Sequence, residues 1–172
     1  MLISQEVNRA LNQQIGHEFG ASLQYVSIAA YFDGEGLPAL AKHFYRQALE
    51  EREHAMRFVR YSLDADGAIE IPAIPAPQSA FASAEDAVRL SLDWEVEVTR
   101  QINAIMDLAI AQNDHMTKNF LEWFIGEQRE EVSSMDTLLK MVRRAGDNGL
   151  LFVENYLARG EHPSSDDLPT GA

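Results

Sequence analysis

The chain contains no cysteine. Disulfides, iron–sulfur clusters, thiolate zinc sites and a cysteine nucleophile are therefore excluded. Any metal must be held by carboxylate, imidazole and amide, which suits iron, manganese, magnesium or calcium. Long apolar runs are also missing. No stretch approaches the roughly 18 residues of a membrane span. The opening MLISQEVNRAL shows no signal-peptide pattern. The expectation is a cytoplasmic protein with no membrane partner. Positive charge is scarce, with 14 Lys and Arg against 27 Asp and Glu and a net charge of −13. Such a surface repels nucleic acid and attracts cations.

The 172 residues suffice for one domain with a sizeable core. Periodicity predicts a helix from about Ser4 to Phe32 and a second from Gly36 to Asp66-Gly67, with Pro38 in its first turn. AIEIPAIPAPQSAF, residues 68–81, carries three prolines and reads as an extended connection. A third helix starts near Ser83 and ends near Asn113-Asp114. The fourth stops at Gly146, and a short fifth runs from about Asn148 to Arg159. The domain would span 1–160, with EHPSSDDLPTGA, 161–172, as a flexible tail. Short links give two antiparallel hairpins, and the long link makes helices two and three parallel. That is an all-α, ferritin-like four-helix bundle with one long crossover.

Each long helix carries an apolar stripe with a carboxylate near its midpoint. Helix one has Val7, Leu11, Gln14, Glu18, Ser22, Tyr25, Ala29 and Phe32. Helix two has Leu37, Ala41, Phe44, Ala48, Glu51, Ala55, Phe58 and Ser62. Helix three has Val88, Leu92, Glu95, Thr99, Ile102, Met106 and Ala109. Helix four has Phe120, Phe124, Glu127, Glu131, Met135, Leu138 and Val142. Bundle geometry puts the midpoints at one level, so Glu18, Glu51, Glu95 and Glu127 or Glu131 should converge. His54 shares the face of Glu51. No Lys or Arg interrupts the stripes. Buried carboxylates must then be protonated or hold cations. One imidazole among them suits two divalent ions, with Glu51 placed to bridge. Glu50, Glu53 and Glu130 fall off the stripe centres and read as solvated. His17, His43, His115 and His162 read as surface or edge histidines. Met56, Met106 and Met135 read as core filler.

GHEFGASLQY, HFYRQALEEREHAMRF, DWEVEV and WFIGEQREE, in that order, resemble a bacterial non-haem ferritin over roughly residues 4–159. The resemblance implies an iron-storing ferroxidase that oxidises Fe2+ with O2 or H2O2. Glu18, Glu51 and His54 would hold one iron, and Glu51, Glu95 and Glu131 the second. Gln128 would lie beside them, and Tyr25 would be a possible electron donor. Trp123 matches a nearby aromatic. Glu50, Glu127 and Glu130 match a third iron site, against their solvated reading from periodicity. Helix four offers Gln128-x-x-Glu131 where symmetric di-iron oxygenases repeat Glu-x-x-His. Arg52 stands where haem-binding relatives have methionine, so no haem is expected. Lys118 and Leu121 stand at channel positions that are acidic in animal ferritins. LLFVENYLARG fits a homo-oligomer of 24 subunits. Two rivals are a di-metal oxidase or oxygenase acting on an organic substrate, and a metal-free interaction bundle.

Overall fold

The computed structural model describes residues 2–160; the expected tail and His162 lie outside them. Four helices occur in the order α1 Gln5–Gly34, α2 Pro38–Asp64, α3 Ala84–Ala111 and α4 His115–Ala158. No strand occurs among the described residues.

Side-chain caps start three of the helices. Ser4 accepts from the Val7 amide at 3.1 Å, Ser83 from Asp86 at 3.1 Å and Asp114 from Thr117 at 2.9 Å. Each satisfies an amide that the helix itself leaves without a partner. α2 begins on Pro38 instead, and the Ala39 and Leu40 amides donate to the Glu154 carboxylate at 2.8 and 2.7 Å. A carboxylate at a helix N-terminus also faces the positive end of its dipole.

That cap comes from the end of α4, so the chain beyond Gly146 is docked on the bundle. Gly146 has φ 60° and ψ 178°, a non-helical conformation inside an otherwise continuous helical stretch. The helical run thus breaks at Gly146, where helix four was expected to stop, and the helical stretch that follows to Ala158 corresponds to the expected fifth helix. Val153 on that stretch is buried in the same apolar cluster as Leu37, Leu40 and Val142.

The crossover 68–81 runs along α1 from Asn8 to Ser27. Asn8 and Asn12 donate to the Ala68 carbonyl, and the Glu70 amide donates to Asn12. Further along, Gln24 and the backbone of Gln78 exchange two hydrogen bonds, of 2.8 and 2.9 Å. These buried amides replace the backbone partners that an extended strap cannot find in itself. α2 and α3 are therefore parallel, and α1 packs on α2 and α3 while α4 packs on α3 and α2.

Gly16 is what lets the strap lie so close. A Cβ there would come within 2.4 Å of Pro72 Cγ, against a rigid ring. Gly16→Ala should cost about 1–3 kcal/mol, the usual range for overpacking. Gly126, where a Cβ meets nothing within 4 Å, provides the control. Gly126→Ala should be neutral or slightly stabilising in the same denaturant titration.

The apolar core is divided in two. One part contains Tyr25, Phe32, Phe44, Met135 and Val142; the other contains Val7, Ile15, Phe58, Ile102 and Phe124. The layer of carboxylates lies between them.

The expected faces of α1 and α2 are buried apart from half-exposed Ser22, and on α3 the expected Val88, Glu95, Ile102 and Ala109 are buried. Val98 and Ile105 are buried there, while Leu92, Thr99 and Met106 are half-exposed. α3 carries apolar residues on both flanks of its stripe, so spacing alone does not choose between them. His43 is not at an edge: it is buried, with its ring 5.1 Å from that of Phe44. α2 packs against both α1 and α4, which widens its buried face to include His43 and Gln47.

Candidate metal centre

Each helix contributes at its midpoint. Glu18 comes from α1, Glu51 and His54 from α2, Glu95 from α3, and Gln128 and Glu131 from α4; all are buried. Glu131, not Glu127, is the buried carboxylate of α4, and Glu127 is half-exposed. Glu51 and His54, three residues apart on one face, bring Oε2 and Nδ1 to 3.4 Å. Glu18, Glu51 and His54 each offer a ligand atom, and these lie within 4.8 Å of one another.

Glu95 is held from two sides. Tyr25 Oη donates to its Oε1 from α1, and Gln128 Nε2 donates to its Oε2 from α4 at 3.1 Å. Gln14 Nε2 donates to Glu18 Oε1 at 2.8 Å, and Gln47 Nε2 to Glu131 Oε2 at 3.0 Å. Gln14 was visible in the stripe of helix one, but its role was not; Gln47 was missed. The signal was there: glutamine stands four residues before the centre carboxylate on both α1 and α2.

Burial is the main electrostatic force here. It pushes the Glu18 and Glu51 carboxyls well above the ordinary range, and their negative neighbours push further. Burial also raises Glu95, opposed by the hydrogen bonds from Tyr25 and Gln128. Glu131 is pushed up to about 8 by burial and by Glu95 and Glu50. Tyr25 is raised well above its usual value by burial and Glu95, so it stays a neutral donor.

The donor set fits hard divalent ions. Glu18 Oε2 and Glu51 Oε1 are buried without a hydrogen bond, and His54 Nδ1 has only the 3.4 Å approach of Glu51 Oε2. Such atoms are costly to leave unsatisfied, and a cation held by these residues would remove that cost.

Of the residues matched to a third site, Glu50 and Glu127 are half-exposed and close enough to Glu131 to raise its pKa. Glu130 is exposed and approaches Arg129 at 3.5 Å. Trp123 lies at the rim, its ring 5.5 Å from His54 and capped by the Arg57 guanidinium at 4.0 Å. Arg52 and Glu53 are both exposed and pair at 3.6 Å. Leu121 is fully buried in the core, so of the two expected channel positions only Lys118 can face solvent.

A four-helix bundle with a buried carboxylate layer and one Glu-x-x-His defines the carboxylate class of bundle metalloproteins. A family model described as ferritin-like domain matches residues 8–145. The chain is 48% identical over 167 residues to ferritin BfrB of Mycolicibacterium smegmatis, covering 94% of this chain and 92% of that protein. It is 36% identical over 158 residues to the bacterial non-heme ferritin of Staphylococcus aureus, with 91% and 95% covered. Among solved structures, an open pore ferritin from the archaeon Archaeoglobus fulgidus superposes with TM-score 0.88 at 32% identity, covering 91% of this chain and 96% of that one. The chain belongs to the ferritin-like family. Its activity is oxidation of ferrous iron and storage of the product.

Proposed function

We propose that the buried layer is the ferroxidase centre and that Fe2+ is its substrate. The observation that carries this is the buried trio Glu18, Glu51 and His54, whose ligand atoms lie within 4.8 Å of one another. These residues hold one Fe2+. Glu51 bridges to a second, which Glu95 and Glu131 hold with Gln128 beside it. The two ions sit about 3.5–4 Å apart, as in other two-metal sites. Two Fe2+ give up one electron each. With O2 and two protons the products are two Fe3+ and H2O2; with H2O2 the reduced product is water. Anionic ligands stabilise Fe3+ over Fe2+, so the layer itself drives the oxidation. Tyr25, whose hydroxyl donates to Glu95, steadies that carboxylate for the second ion. Glu50, Glu127 and Glu130 form a weaker, wetter station through which iron leaves.

The product is stored as a ferric oxyhydroxide mineral inside a shell of 24 copies in the cytoplasm. Support for assembly comes from the surface as well as from the family. Leu23, Val26, Leu49, Leu63, Leu151 and Phe152 are exposed and offer apolar surface that a neighbouring copy could cover. No described helix is long and apolar enough to cross a membrane. Haem has no part in this reading, because Arg52 follows the bridging glutamate where an axial methionine would stand.

Aerobic addition of Fe2+ far beyond two ions per chain tests the proposal. The expected product is a soluble, electron-dense core in a particle of about 24 subunits. Uptake of only two ions, with the rest precipitating, would rule storage out. A dependence of turnover on an organic co-substrate would favour the oxidase alternative.

A further inference from the structure

The three amides of the layer do different work. Gln14 reaches the carboxylate one turn along its own helix. Gln47 has the same spacing from Glu51, but it does not turn back to that residue. Its amide crosses from α2 to α4 and donates to Glu131 Oε2 at 3.0 Å. Gln128 likewise crosses from α4 to α3 and donates to Glu95, although Glu131 is its neighbour at the next turn. Each of the two carboxylates assigned to the second ion is thus gripped by an amide from another helix.

We propose that Gln47 is a positioning residue for the second metal, holding the Glu131 carboxylate in the orientation that ion requires. The proposal rests on the two-ion reading of the layer. Gln47 is 5% exposed, so its amide cannot be traded for water. Donation to one carboxylate oxygen fixes the side-chain torsion and leaves the other oxygen for a cation. A neutral amide suits this role. A Lys or Arg there would neutralise Glu131 and compete with the metal, while a Glu would repel it. Outer partners of this kind are worth about 10–100-fold in metal affinity. The Gln47 amide is hydrogen-bonded to Glu131 and not to Glu18, Glu51 or His54, so the first site should not respond to its loss.

The test is anaerobic titration of the metal-free full-length protein with Co2+, followed by calorimetry and by the visible d–d bands. Wild-type protein should take up two ions per chain. Gln47→Leu removes the donor and keeps an apolar side chain of similar size. It should weaken the second equivalent at least about 10-fold and leave the first within about twofold. The bands of the second ion should shift even where it still binds. Equal affinity for both ions in Gln47→Leu and wild type would overturn the positioning role. So would an equal loss at both sites, which marks a merely structural residue. Gln47→Met repeats the test with an unbranched chain; if neither variant assembles, Gln47 is structural and the proposal falls. Wild-type protein that binds fewer than two ions would instead sink the two-ion reading itself.

Discussion

Glu51→Ala and His54→Ala should each abolish rapid iron oxidation while the shell still assembles. Glu51 is the residue shared by the two proposed sites, and His54 is the one imidazole. Loss of an outer partner costs a metal site about 10–100-fold, and loss of a ligand should cost more. The initial rate of Fe3+ formation should therefore fall below about one-hundredth of wild type. Assembly should persist because the exposed apolar surface and the two apolar halves of the core are untouched. The informative control is the stability of the metal-free protein. Glu51 is buried, near the like charges of Glu95 and Glu131, and that burial and repulsion oppose folding when no metal is present. Glu51→Gln, which keeps the volume, should leave the metal-free melting temperature unchanged or raise it. A fall of several degrees would show that Glu51 is a structural residue.

Metal-free protein should lose stability as the pH is raised from about 5 to 8. A carboxyl whose pKa is raised on folding binds more protons folded than unfolded between its two values. Stability therefore falls with rising pH across that window. Glu131 spans it from the ordinary 4.5 to about 8. At 1.36 kcal/mol per unit that is on the order of 4–5 kcal/mol. Glu18, Glu51 and Glu95 are shifted in the same direction and steepen the slope. Bound metal reverses it, because ligands must be deprotonated and affinity rises with pH. Chemical denaturation of chelator-treated and Zn2+-loaded samples between pH 5 and 8 should give opposite slopes. Glu131→Gln should flatten the metal-free slope. Metal-free protein that gains stability over this range would contradict the burial of these carboxyls without a positive partner.

The repeated glutamates on four apolar stripes were legible because they break a strong pattern at matched depth. Loop length then fixed which helices run parallel. The crossover was legible only as extended. Its path along α1 depends on Asn8, Asn12 and Gln24, which are polar and look solvent-facing until the strap covers them. One flank of the α3 face was misjudged for a related reason, since Val98 and Ile105 are buried where Leu92, Thr99 and Met106 were expected. Helical spacing locates a stripe to about one residue on either side, and the neighbours decide which flank is covered. His43 shows the same effect on α2, where two packing partners bury more than one stripe.

The sequence alone determined the class of chemistry. Absent cysteine left oxygen and nitrogen ligands, and buried carboxylates without Lys or Arg left protonation or metal as the remedies. It also determined which helix supplies each carboxylate, since 3.6-residue periodicity is a local property. The tertiary structure decided how those groups are held. Gln14 and Gln47 stand at the same distance from a glutamate, yet one amide stays on its helix and the other crosses to α4. A side chain's hydrogen-bond partner depends on what the facing helix presents at that height, and no spacing within one helix encodes that.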